Sequence, residues 1–364
     1  MLRHGLLPVL LAVLPLRAAV LPEDRIDAAL HSYDGGGVEV KGPALLLRKT
    51  VADRVSIEGG YYSDLVSAAS PDVLATASPF TDRRDEWRVS ARYLHGDSIL
   101  HLGYTRSTEN DYDARTWNFG VSHEFFGGMS TLSLDYTRGA NVVRRSDNDF
   151  RATNDRSAYR LGLAQVLSPS TLLSISYEGI LDEGYLSNPY RSVRILGIFA
   201  GPERYPGTRT SNAIALRLQQ YFDVLGGGAL SAGYRHFSDT WQISAGDWEL
   251  GWRQHLYDRW MLGLNYRQYG QTAAVFYSDD FDREYTYMAR DKELSTFSSR
   301  RLGLTVSYDL YRRLALGLEN GRVVLAADWI RYDYADYTDA SKPGNDEPYG
   351  FDAWLLQLNF TSGF

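Results

Sequence analysis

The stretch that most constrains this chain is its last fourteen residues, Phe351 to Phe364, reading FDAWLLQLNFTSGF. Counting back by twos from the terminal aromatic gives Phe364, Ser362, Phe360, Leu358, Leu356 and Trp354, apolar except for Ser362. The positions between them, Gly363, Thr361, Asn359, Gln357, Leu355 and Ala353, are mostly small or polar. Side chains alternate across a strand, so a strict period of two describes a strand with one greasy face and one wet face.

From Val38 onward the same device recurs: about ten residues of alternation, then a break. The pattern predicts strands at 38–49, 53–63, 85–95, 97–108, 114–126, 128–139, 154–167, 170–181, 209–222, 227–240, 243–256, 258–270, 295–311, 321–334 and 350–364. In 260–267, for example, Trp260, Leu262, Leu264 and Tyr266 alternate with Met261, Gly263, Asn265 and Arg267. No stretch of helical period of comparable length interrupts them, so the chain is all-β.

The breaks alternate in length. Tight turns at His95-Gly96-Asp97, Gly127-Gly128, Ser168-Pro169, 223–227 and Asp258 are interleaved with long links at 64–84, 140–153, 182–208, 271–294 and 335–349. A soluble sandwich has no reason to segregate its connections in this way. A transmembrane antiparallel β-barrel does, with short periplasmic turns and long extracellular loops. The composition agrees. A mean hydropathy of −0.33 and 23% charged residues argue against a helical membrane protein, but only every second barrel residue meets lipid. The 364 residues contain no cysteine, which excludes a disulfide scaffold and thiolate metal sites. A net charge of −7 offers nucleic acid no basic face.

The sequence predicts 14–16 strands. Fifteen is an odd count, and Gly42-Pro43 interrupts the first candidate, where proline removes a ladder donor. The favoured expectation is fourteen strands, with 38–52 as a plug or edge segment of a 38–364 barrel; sixteen is the alternative. Residues 1–19 read as a signal peptide, with Arg3 and His4 followed by an apolar run to Leu16. Residues 20–37 read as a polar periplasmic lead-in. Export and the final Phe364 together place the expected location in the bacterial outer membrane.

One face of the strands carries aromatics toward the strand ends, Trp87, Tyr93, Tyr104, Trp117, Tyr159, Trp248, Trp260, Tyr308, Trp329 and Trp354, suited to a headgroup boundary. The other carries Arg88, Arg92, Glu124, Asp135, Arg160, Glu178, Arg217, Arg235, Glu249, Arg253, Arg267, Arg301, Asp309 and Asp328. Facing these charges to lipid at the midplane would cost about 2–4 kcal/mol per arginine, so they line the lumen. Both signs occur there, giving either a salt-bridge lattice that stiffens the wall or a polar conduit. Glycines on the same face leave room inside.

Three loop stretches carry a resemblance. They are Tyr61-Tyr62 with Ser67 to Val73 and Thr76 to Phe80; Asp182 to Arg194 with Tyr205-Pro206 and Thr208 to Ala213; and Ala289 to Phe297. Together they resemble a proteobacterial outer-membrane β-barrel family catalogued only as a domain of unknown function. The resemblance runs from about residue 35 to the C-terminus and implies location, with no reaction attached. Both the 64–84 and 182–208 links are too apolar to wave in water, so they are expected to fold over or into the barrel mouth. Arg191, Arg194, Arg209, Arg290 and Lys292 are then candidates for a constriction, paired with Asp182, Glu183, Asp291 and Glu293, above the wall arginines Arg217 and Arg267. A self-packed cap without ligand is the competing reading. The acidic runs Asp147–Asp149, Asp279-Asp280-Asp282 and Asp333, Asp336 and Asp339 read as a solvated outer surface bridging lipopolysaccharide through divalent ions, without calcium-loop spacing.

No nucleophile elbow, paired-histidine zinc motif or close carboxylate–histidine pairing on one rim is legible, so no enzyme, metal or cofactor is predicted. The function expected is a channel or passive transporter for small polar or charged solutes. A plugged, non-conducting structural or docking barrel anchoring a periplasmic or surface partner and a rim-located hydrolase are the alternatives. Lipid, lipopolysaccharide and, through the strand ending in Phe364, the outer-membrane assembly machinery are the expected partners.

Overall fold

The computed structural model describes residues 19–68, 80–224, 226–310, 318–342 and 347–364. The expected signal peptide and the middle of the 64–84 link fall largely outside them. The first nine strands are β1 (Arg25–Gly35), β2 (Val38–Ala52), β3 (Val55–Ala68), β4 (Phe80–His95), β5 (Ser98–Thr108), β6 (Tyr112–Phe125), β7 (Ser130–Arg144), β8 (Arg151–Ser168) and β9 (Thr171–Gly184). A short hairpin follows, β10 (Ser192–Ile195) and β11 (Phe199–Pro202). Then come β12 (Thr208–Phe222), β13 (Gly228–Asp239), β14 (Ser244–Leu256), β15 (Trp260–Gln271), β16 (Phe297–Leu310), β17 (Glu319–Thr338) and β18 (Pro348–Gly363). All but β10 and β11 form one closed antiparallel barrel of sixteen strands, with β12 beside β9 and β1 sealing against β18.

All fifteen strands expected from the sequence are present. The favoured count of fourteen with a plug is corrected to sixteen. Residues 25–35, expected as lead-in, are the first strand, and 38–52 is the second; both are barrel wall. Gly36 and Gly37 make the two-residue turn between them at φ 60° and 77°, the left-handed pair a tight hairpin demands. Pro43 is tolerated because the β2–β3 ladder is interrupted there, between Lys41↔Leu65 and Ala44↔Tyr62. Backbones approach so closely at this break that a Cβ on Gly42 would lie 1.6 Å from the Ser63 carbonyl oxygen.

At one end of the barrel every described connection is short: 53–54, 96–97, 126–129, 169–170, 223–227 and 257–259. The opposite end carries the long segments 185–207 and 272–296. The outward face is built for hydrocarbon. Rows of leucine and valine lie between two aromatic girdles whose members touch across neighbouring strands. Tyr61–Trp87 (4.5 Å), Tyr104–Trp117 (4.7 Å) and Tyr234–Trp248 (4.3 Å) lie toward the loop end, and Trp260–Tyr308 (4.7 Å) lies at the turn end. Trp87, Trp248 and Trp354 leave more than half of their surface uncovered by protein (63%, 64% and 54%). Rings with an apolar body and a polar tip suit the lipid boundary.

Leu356 lies on this outward face of β18, two residues from Trp354. Leu356→Arg is expected to lower stability in lipid by about 2–4 kcal/mol, read from urea unfolding in vesicles. The lumen-facing neighbour change Gln357→Arg is expected to cost far less.

Candidate functional site: the charged lumen and its lid

Many of the lumenal charges are paired across strands. Arg48 and Arg92 converge on Glu58 at 2.5 and 3.3 Å. Arg160 meets Glu178 (2.7 Å), Arg267 meets Asp247 (3.1 Å), Arg301 meets Asp328 (2.8 Å) and Arg322 meets Asp309 (2.5 Å). The lumenal glycines have a specific role in this lattice. Arg217 on β12 reaches Glu249 on β14 at 2.8 Å, over Gly233, which lies opposite both. His101 on β5 likewise reaches Asp135 on β7 at 3.2 Å, over Gly120, where a Cβ would lie 1.9 Å from the imidazole and 2.3 Å from the carboxylate. A glycine on the middle strand opens a window through which side chains two strands apart can meet.

The long loops fold together into a lid. Trp241 and Ile243 from the β13–β14 turn pack with Ala274, Phe276, Ala289 and Leu294, and Leu186 and Tyr205 close over them. A second buried cluster joins Val193 of the β10–β11 hairpin to Phe281 and Met288. The 145–150 loop is tied in as well, its Arg145 donating to the Pro189 carbonyl at 2.6 Å. The lid reaches inward. Gln271, on the same face of β15 as lumenal Arg267, donates to the carbonyls of Glu293 and Ser295 at 2.9 Å each.

The structure distributes the expected constriction residues between lid and wall. Arg191 pairs with Asp291, and Arg194 with Asp279 (2.9 Å). Arg290, only 7% exposed, also pairs with Asp279 (2.7 Å) and donates to the Thr338 carbonyl (2.7 Å). Arg209 meets Asp239 at 2.6 Å, its guanidinium 4.4 Å over the Trp241 ring. Lys292 and Glu293 form a single 3-10 turn, Lys292–Leu294, that Asp291 caps. Asp182 sits lower, on β9, 3.6 Å from Arg156, and Glu183 lies opposite Thr208 in the ladder. Arg217 and Arg267 belong to the wall lattice described above.

Several decisive partners were not legible. Asp279, expected on a solvated surface, instead joins Arg194, Arg290 and the Thr338 hydroxyl (2.5 Å). Asp280 accepts from Gly197 N–H and Asp336 from Thr296 N–H, so these acids are taken up in protein contacts as well. Two carboxylate–histidine pairs that the sequence did not reveal also exist, His101–Asp135 and His31–Asp64 (2.7 Å). Both lie in the lumenal wall.

Glu203, 5% exposed, is the unexpected centre of the lid. It accepts the Arg290 N–H at 2.8 Å and the Tyr205 hydroxyl at 2.6 Å, and Asp291 lies 3.5 Å from the same hydroxyl. Burial, and then the Asp291 carboxylate, push the Glu203 carboxyl up to about 7; the Tyr205 and Arg191 groups complete its surroundings. A carboxyl raised in the folded state stabilises the packed lid while protonated, and that contribution is lost as pH rises through about 7.

The sequence matches the model of a protein family described as a protein of unknown function, DUF3570, over residues 136–320, half of the chain. The chain belongs to the DUF3570 family. No curated protein matches it. Among solved structures it is similar to a bacterial polysaccharide outer membrane secretin, at 7% identity and TM-score 0.54, covering 94% of this chain and 99% of that one. It is also similar to OccK2 (OpdF) of Pseudomonas aeruginosa in complex with glucuronate, at 11% identity and TM-score 0.47, covering 94% and 98%. The Pseudomonas putida toluene transporter TodX matches at 11% identity and TM-score 0.43, covering 95% and 90%. At 7% identity the likeness to the secretin speaks to fold alone, and with the closed sixteen-strand sheet it makes this DUF3570 chain an outer-membrane-type β-barrel.

Two outcomes follow for the lid. Amide protection factors in 185–207 and 272–296, taken relative to the intrinsic exchange rate at each pH, are expected to fall as pH rises from 5.5 to 8.5, and Glu203→Gln is expected to flatten that dependence. Asp279→Asn, which removes the shared partner of Arg194 and Arg290, is expected to speed exchange in both segments at every pH while leaving the barrel strands protected.

Proposed function

We propose that this protein is a passive channel of the bacterial outer membrane for small polar solutes, its mouth narrowed by the lid. The observation that carries the reading is the exposure of charged side chains on the inner wall. Arg88, Arg160 and Arg217 point into a closed barrel, yet their side chains are 53%, 58% and 55% exposed. Among the described residues, therefore, the lumen is lined by charge and not filled by side chains. Paired charges of both signs leave a conduit that is polar with little net field.

The docking reading needs a plug, and the segment expected to supply one, residues 38–52, is wall. The hydrolase reading would need a serine, a histidine and a carboxylate together. Among the described residues the two histidine–carboxylate pairs have no serine hydroxyl as a hydrogen-bond partner, and the one serine–histidine contact, Ser98 Oγ to His123 Nδ1 at 2.7 Å, has no carboxylate paired to its histidine. The membrane setting is supported by the outward face above the loop-end girdle. There Arg83–Asp85 (3.0 Å), Arg106–Asp113 (3.0 Å) and Arg138–Asp155 (2.8 Å) form a charged collar suited to lipopolysaccharide headgroups.

Liposome swelling in neutral sugars of graded size tests this. Refolded protein is expected to admit small sugars several-fold faster than empty vesicles, with Asp279→Asn extending entry to larger ones. Rates equal to those of empty vesicles for both proteins would overturn the channel reading.

A further inference from the structure

The lumenal wall near the β1–β18 seam holds a recess of about 380 Å³, bounded by β1, β2, β3 and β18. Its polar side is built on the interruption at Gly42. His31 lies directly opposite Gly42 in the β1–β2 register and reaches past it to Asp64 on β3, Nε2 to Oδ1 at 2.7 Å. Tyr62 stacks on the imidazole with ring centroids 5.1 Å apart and planes 3° from parallel. The two paired side chains are about nine-tenths covered, at 11% and 10% exposure. A carboxylate accepts, so in the neutral imidazole Nε2 carries the proton and Nδ1 is left as an acceptor.

Three hydrogen-bonding groups on the recess are unspent. His31 Nδ1 and the side-chain amides of Gln357 and Asn359 have no hydrogen-bond partner among the described residues, although all three residues line it. Beside them Ala29 and Ala44 form an apolar floor. This differs from the rest of the lumen, where acids meet arginines and the surface is charged. Here the one charged group, the Asp64 carboxylate, is held on the His31 Nε2–H, and its negative charge disfavours an anionic solute. Two amides present donors and acceptors side by side, and the imidazole adds an acceptor. Such an edge matches vicinal hydroxyls, and the alanine floor and the Tyr62 ring match the C–H face of a sugar. The volume lies at the small end of ligand pockets, enough for one ring.

We infer that this recess is a binding subsite for a neutral polyhydroxylated solute of monosaccharide size, held by Gln357, Asn359 and His31 over Ala29 and Ala44. The inference refines the channel reading by naming a solute class, and binding at equilibrium is measured separately from passage. Affinity is expected to be weak, because a solute held on a conduction path must also leave.

Saturation-transfer NMR on the refolded full chain in detergent, with methyl α-glucopyranoside as probe and glucuronate as the charged competitor, tests it. The neutral sugar is expected to receive saturation and glucuronate to displace it poorly. Asn359→Leu is expected to weaken sugar binding tenfold or more. Ala44→Leu, which fills the floor and leaves every polar group in place, is expected to do the same. Thr137→Val, on β7 away from the recess, is expected to bind as the native protein does. Heat-modifiable gel mobility confirms folding of each variant. No saturation of the sugar by folded protein, preference for glucuronate, or equal loss in Thr137→Val would overturn the inference. Conductance without sugar binding would remove the subsite and leave the channel; sugar binding without conductance would do the reverse.

Discussion

A sheet in hydrocarbon cannot leave an edge, because no water is present to satisfy its N–H and C=O groups. In this molecule that requirement falls on one seam, the eleven-residue register between β1 and β18 from Arg25↔Gly363 to Gly35↔Ala353. The rest of the architecture depends on it. Closure gives every other strand two neighbours, and a strand paired on both sides has only two faces left to differ. Leucine, valine and aromatic rings take the outer face; arginine, carboxylate and glycine take the inner one.

Inside, the problem becomes one of charge. Each lumenal arginine or carboxylate would be expensive if isolated, and water in the lumen alone does not fix its position. Pairing across strands does, and glycine windows extend the reach of pairing to strands two apart, as at Gly120 and Gly233. These ties are individually modest. Together they hold the wall in one shape. The lid is held differently, by two apolar clusters and the shared acid Asp279, with a buried carboxyl, Glu203, at its centre. A wall braced by paired charge and a cap braced by apolar packing respond to different conditions, the second to pH near neutrality.

Most of the barrel was legible because alternation is imposed locally by the solvent on each face. Leu302, Leu304 and Val306 point to lipid whatever their partners, so β16 reads directly from its own residues. β1 did not read, because its outward Ile26, Ala28 and Leu30 and its inward Ala29 and His31 differ too little, and bulk is supplied by its neighbours Leu358 and Phe360 in the register. Pro43 argued against a wall strand, yet it occupies the break in the β2–β3 ladder, a tertiary circumstance no local pattern carries. The lid was legible only as a greasy loop. That Arg290 would meet Asp279, that Glu203 would be buried against Tyr205, and that His31 would find Asp64 across a glycine are contacts between segments with no shared period. The arginines could be named, but most of their partners could not.

On the channel reading, a polar path runs through this barrel despite the lid. Single-channel recording of the full chain in planar bilayers measures that path most directly. Steady, stepwise currents that scale with salt concentration are expected. Membranes that hold demonstrably folded, inserted protein yet pass no more current than bare lipid would contradict it.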